Sequence, residues 1–173
     1  MKAKVVVAGH AVHPMLVVFP LGLLATSVIW DIVALASVPA GHASWGMVSF
    51  WTIIAGVAGA LLAAVTGFVD WLAIPRHTRA RALGLWHMSI NLVVVALFVI
   101  SLALRLGTPG GYAQAGIGPM IVGWIGVVLA LVSGWLGGEL VETLGISVRE
   151  GANPNAPSSL GHAFRRAGAP TRP

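Results

Sequence analysis

Residues 83–106 read LGLWHMSINLVVVALFVISLALRL, a run with no acidic or basic side chain except His87 near its start and Arg105 near its end. As a helix it is long enough to cross a hydrocarbon core of about 30 Å, which takes about 20 residues. Three further runs qualify: Pro14 to Val38, Val48 to Leu72 and Ile117 to Leu140. Composition agrees, with 57% hydrophobic and 9% charged residues and a mean hydropathy of +0.90, where soluble domains carry about 25% charge. The chain reads as an all-α membrane protein with four transmembrane helices arranged as two consecutive hairpins. Residues 1–13 form an N-terminal segment, 14–148 the four-helix domain, and 149–173 a flexible basic tail of Pro, Gly, Ala, Asn, Ser and Arg.

A net charge of +5 and a pI near 11.2 would suggest nucleic acid in a soluble protein. Here the placement of the charges points to topology and lipid headgroups instead. Lys2 and Lys4 precede the first span, Arg76, Arg79 and Arg81 fill the second connection, and Arg149, Arg165, Arg166 and Arg172 follow the fourth span. The connections Pro39–Ser44 and Gly107–Gly116 hold no Lys or Arg. The positive-inside rule then predicts both termini and the middle loop in the cytoplasm, N-in/C-in. Ala34-Leu35-Ala36 resembles a signal-peptidase site, but the apolar run before it exceeds an ordinary signal core and carries Asp31, so the first helix is expected to be retained. The absence of cysteine excludes disulfides and Cys-ligated zinc or iron–sulfur centres.

The hairpin is written twice. His13-Pro14 opens the first copy and Thr66-Gly67-Phe68-Val69-Asp70-Trp71 closes it; Trp86-His87 opens the second, and Ser133-Gly134-Trp135-Leu136-Gly137-Gly138-Glu139 closes it. Polar groups are expensive inside a membrane, so two histidines and two acids at matching places point to a site. Pro14 restricts His13 to an extended or capping conformation. Pro20 is expected to kink the first helix by releasing the carbonyl of Leu16. A start near Thr78 puts His87 about two turns into the third helix, with Asn91 one turn on along the same face. The second and fourth helices run the other way, so Asp70 and Glu139 end in the same layer. Both also carry small-residue stripes, Gly56, Ala60, Ala63, Gly67 and Gly126, Ala130, Gly134, Gly138, which allow close packing or leave room for a flat ligand. Asp31 and Arg105 are expected to pair at the opposite boundary.

The order His-Pro, Phe-Pro, Thr-Gly-x-x-Asp-Trp, a His and Asn pair in the third helix and Gly-Gly-x-Leu-Val in the fourth resembles the small bacterial membrane proteins grouped as domain of unknown function 2231. The resemblance covers roughly residues 11–148 and is carried by His13, Pro14, Pro20, Gly67, Asp70, Trp71, His87, Asn91, Gly137 and Gly138. It implies a four-helix protein of the bacterial inner membrane with no established activity. Relatives with a fused Rieske-type iron–sulfur domain imply electron transfer. The chain departs from that pattern at Val18, Glu142 and Leu144, where relatives carry His, Tyr and His, so its histidine set is reduced.

Two histidines on different helices beside glycines suit one b-type haem, with His13 and His87 as axial ligands. Gly67 and Gly134 would leave space for the porphyrin, with Asn91 lining the site. Asp70 or Glu139 would accept an imidazole N–H or relay protons, and Arg76, Arg79 or Arg81 would meet propionates or lipid headgroups. Such a subunit would exchange electrons with a quinone or a Rieske-type partner. The alternative is a non-catalytic scaffold packing against partner helices or another copy of itself, and a third reading is proton or ion transport through Asp70, Glu139 and His87. His10 adds only an i, i+3 pair with His13, and His42 and His162 lie in a connection and the tail.

Overall fold

The computed structural model describes residues 1–37, 39–109, 111–156 and 158, with the backbone alone at 39–42. The side chain of His42, and His162, Arg165, Arg166 and Arg172, therefore lie outside the described residues. The helices are α1 (Val12–Leu16), α2 (Val18–Ala36), α3 (Pro39–Leu72), α4 (Arg79–Leu106) and α5 (Ile117–Glu142). A short antiparallel pair, β1 (Val6–Val7) and β2 (His10–Ala11), precedes them. Four spans are long and apolar enough to cross a membrane: Val12–Ala36, Ala43–Leu72, Arg79–Leu106 and Ile117–Glu142.

Local chemistry explains where these elements start and stop. Pro20 has no N–H to offer the carbonyl of Leu16, and the helix is interrupted at Val17, between α1 and α2. His13, expected at an extended or capping position, instead lies in the first turn of α1, whose N-cap is Ala11. Pro14 does not prevent this, because the N–H groups of a first turn have no intrahelical partner in any case. Thr78 caps α4 as anticipated, its Oγ1 accepting from the Arg81 amide at 3.2 Å. Helix α3 is longer than expected, starting at Pro39 rather than near Val48 and running about 50 Å at 1.5 Å per residue. Proline is pre-shaped for a first turn, and no further proline interrupts the helix before Leu72. The β-pair was not foreseen; Ala8 and Gly9 take φ of 48° and 80°, as a two-residue type I′ turn demands.

Helix α2 packs on α3 and α4 on α5, and the ring is closed by α3 with α4 and α2 with α5. The α2 and α4 helices are thus diagonal and meet through side chains at the bundle axis. The two hairpins are copies in their packing as well as their sequence. Buried positions of α2 recur 74 residues later in α4: Pro20 with Val94, Leu24 with Phe98, Ser27 with Ser101 and Asp31 with Arg105. Those of α3 recur 70 residues later in α5: Phe50 with Met120, Ile53 with Gly123, Gly56 with Gly126, Ala63 with Ser133 and Asp70 with Leu140. Gly67 therefore corresponds to Gly137, not to Gly134, and Asp70 to Leu140, not to Glu139. The repeat register differs by three residues from the one that the Thr-Gly and Ser-Gly steps suggest, because burial follows the helix face and not the local dipeptide.

The apolar centre is Leu24, Ile53, Val94 and Phe98. Around it most large apolar side chains point outward, among them Phe19, Trp51, Leu62, Trp86 and Trp135. Such helices are covered by lipid rather than water. Close approach at the centre rests on glycine: a Cβ at Gly56 would lie 2.6 Å from Leu24 Cδ2, and one at Gly126 would lie 2.9 Å from Phe98 Cε2.

These distances set an expected outcome. Gly126→Ala should destabilise the bundle by about 1–3 kcal/mol through overpacking. Gly134→Ala, whose added Cβ would meet nothing within 4 Å, should leave it unchanged. Thermal unfolding in detergent, followed by circular dichroism, distinguishes the two.

Candidate functional site

The end of the bundle that bears Lys2, Lys4, Arg76, Arg79, Arg81 and Arg149 holds the histidine pair. His13 Nδ1 lies 2.9 Å from the carbonyl oxygen of Ala63, on α3. His87 Nδ1 lies 2.8 Å from the carbonyl oxygen of Ser133, on α5. A carbonyl only accepts, so each Nδ1 carries a proton and donates it across to the neighbouring helix. Ala63 and Ser133 are equivalent positions, so this is one bond made twice. The ring seats are equivalent too. A Cβ at Gly67 would lie 2.7 Å from His13 Cε1, and one at Gly137 would lie 3.2 Å from His87 Cε1. Each glycine is where an imidazole lies flat against the helix beside it.

Across the axis the two imidazoles face each other, ring centroids 6.5 Å apart and planes at 89°. Both rings are half-buried. His87, which reads deeper than His13 in the sequence, sits at the same level, because the N-terminal strands continue below His13 as the first turns of α4 continue below His87. Among the described residues only one of the pair has its second nitrogen engaged: Asn91 Nδ2 is 3.2 Å from His87 Nε2 and donates to the His87 carbonyl at 3.0 Å. The position equivalent to Asn91 is Val17, which has no such group. Ser133 adds a hydroxyl 3.0 Å from His87 Nδ1 and 3.2 Å from the His87 carbonyl. Sequence reasoning passed Ser133 over; a serine four residues before Gly137, as Ala63 stands four before Gly67, was the available signal.

The other expected residues are placed as follows. Asp70 is buried on the face of α3 that carries Ala63 and Gly67, but its Oδ1 accepts the backbone amides of Lys4 and Val5 at 2.6 and 3.1 Å. It holds the N-terminal strands, while carbonyls do the imidazole-orienting work expected of an acid. Glu139 points outward and pairs with Arg79 at 2.7 Å and with the Thr143 hydroxyl at 2.8 Å. That exposed pair contributes little stability. Arg81 caps the end of α3, donating to the carbonyls of Trp71, Leu72 and Ile74, with its guanidinium 3.7 Å above the Trp71 ring. Arg76 is exposed. Gly134, expected beside a flat ligand, faces outward, and the space at Gly67 is filled by His13 itself. His10 is exposed and bonds only within its own turn, to the Ala8 carbonyl. Among the described residues no cluster of three or more His, Asp or Glu could hold a metal.

At the opposite end Asp31 and Arg105 form an ion pair of 2.7 Å, with side chains 1% and 0% exposed. This was expected as a boundary contact and is fully enclosed; α3 begins at Pro39, and residues 112–114 pack against α3 and α4. Between the two polar layers lie Leu24, Val94 and Phe98, which separate them.

A family model described as a predicted membrane protein, DUF2231, matches residues 9–150. No curated protein and no solved structure matches the chain.

The role of Asp70 has a direct check. Asp70→Leu, which copies the equivalent Leu140, should speed amide hydrogen exchange at Lys4 and Val5 at least about tenfold, since hydrogen bonds to a charged group contribute about 1.5–3 kcal/mol. Unchanged exchange at both amides would remove Asp70 from this role.

Proposed function

Given that the chain belongs to DUF2231, a family of predicted membrane proteins, we propose that it is an electron-transfer subunit of the bacterial inner membrane, in which His13 and His87 would hold one b-type haem. The basic end is cytoplasmic in this reading, in keeping with the positive-inside rule, and the site lies near that leaflet. The observation that carries it is the facing imidazole pair. Each ring spends its Nδ1–H on a backbone carbonyl, the arrangement that orients a ligating histidine and leaves Nε2 for the metal. The two rings lie 6.5 Å apart between centroids, and their Nε2 atoms are the ones that would hold the iron. The donors fit the group. The glycines do not supply the macrocycle's room, since His13 fills the space at Gly67 and Gly134 faces outward.

When bound, haem supplies reversible one-electron chemistry. The protein's part is positional. Ala63 and Ser133 hold the tautomers, Gly67 and Gly137 seat the rings, and His87 Nε2 would have to give up its contact with Asn91 Nδ2 to hold a metal. Arg76 is the cation of the middle loop left available for a propionate or headgroup. Electrons would pass to or from a quinone or a Rieske-type partner.

A second reading, a scaffold for partner helices, is favoured by a specific observation. Three of the four imidazole nitrogens already make hydrogen bonds, two of them between helices, which is how histidine joins helices in lipid. Gly134 and Gly138 leave an open small-residue face on α5. Proton transport has less support, because the apolar layer separates the polar ends.

The purified protein, expressed with haem supplied, should give a b-type band in a reduced-minus-oxidised visible spectrum. The His13→Ala, His87→Ala variant should lose it while keeping its helical circular dichroism. A colourless wild-type protein would refute the haem reading, and a colourless protein copurifying with a stoichiometric partner would establish the scaffold.

A further inference from the structure

Along the bundle axis, residues from the two hairpins meet in equivalent pairs: His13 with His87, Leu24 and Phe98 in one cluster, and Asp31 with Arg105. The last of these is the buried pair in which the two copies carry opposite charges. It joins α2 of one hairpin to α4 of the other, Arg105 Nη2 to Asp31 Oδ2 at 2.7 Å, in a place closed to solvent. The neighbouring equivalent serines are both uncharged, and Ser101 Oγ also accepts from Arg105 Nε at 3.4 Å. Ser27 donates to the Leu24 carbonyl and Ser101 to the Pro119 carbonyl.

Because equivalent residues face one another, pairing two copies of the same hairpin would keep most of the interface. Histidine would meet histidine, and each hairpin would keep its own glycine-seated packing. At this layer the result would be prohibitive. Two first hairpins would bury Asp31 against Asp31, and two second hairpins Arg105 against Arg105. A buried like-charge pair lacks both Coulombic return and hydration, whereas the observed pair recovers part of its desolvation cost.

We propose that the Asp31–Arg105 pair is a specificity element of the hairpin interface: it admits a hairpin of opposite charge and rejects a second copy of the same one, so that the like hairpins of two chains do not pair with each other. Its contribution is to partner choice more than to stability, since well-packed apolar replacements of buried ion pairs are often neutral or stabilising. This inference is independent of any cofactor at the histidine pair.

The test uses the full-length chain with two different affinity tags, coexpressed and solubilised in mild detergent, and reads how much of one tag copurifies with the other. The charge-reversed D31R/R105D variant should behave as wild type. The neutral D31L/R105M variant should keep wild-type helical content and show several-fold more cross-tag copurification. Equal copurification for wild type and D31L/R105M, or as much for D31R/R105D as for D31L/R105M, would overturn the proposal. If D31L/R105M does not fold, D31R and R105D decide the matter. Each alone presents two like charges and should fail to give a monomer, whereas coexpressed they should copurify one to one. Failure to copurify would also overturn it.

Discussion

A buried polar atom within a bilayer has no water to bond to, and the two imidazole-to-carbonyl bonds answer that constraint at the basic end of this bundle. Each spends a histidine N–H on a backbone carbonyl of the adjacent helix, Ala63 or Ser133. The rest of the basic end follows from it. The rings must lie flat on a helix, so Gly67 and Gly137 have no Cβ; the carbonyls must face inward, so Ala63 and Ser133 are buried. With both Nδ1 atoms engaged, whatever chemistry the pair performs is left to Nε2.

The duplication then makes the molecule a stack of layers. An imidazole layer at the basic end, an apolar layer of Leu24, Val94 and Phe98, and an ion-pair layer at the far end are each built from matching places in the two halves. Where the copies agree, they give a symmetric site. Where they differ, they give it direction. Asn91 stands opposite Val17, so the two histidines are chemically unequal; Asp70 stands opposite Leu140, so only the first hairpin holds the N-terminal strands; Asp31 stands opposite Arg105, so the halves are not interchangeable.

Much of this was legible in the sequence. Span length and composition foretold four helices in two hairpins, and the polar residues stranded in apolar runs singled out His13, His87 and Asn91. The family resemblance, resting on those same residues, holds over residues 9–150. What could not be read was which face a small residue occupies. Gly134 and Gly137 are alike in a string, and three residues along a helix is the difference between facing lipid and seating an imidazole. Ser133 was hidden for the same reason, since its carbonyl, not its side-chain type, matters most. The depth of the Asp31–Arg105 pair depended on how far α3 continues towards Pro39, which no breaker in the sequence announces.

The central claim is that two Nδ1-protonated imidazoles from the two hairpins face each other across the bundle axis. Solid-state NMR of the ¹⁵N,¹³C-histidine-labelled protein in bilayers measures both tautomer and ring-to-ring separation. The account predicts that His13 and His87 are protonated at Nδ1 with ring centres 6.5 Å apart. Rings separated by a helix diameter, about 10 Å or more, or protonated at Nε2 alone, would contradict it.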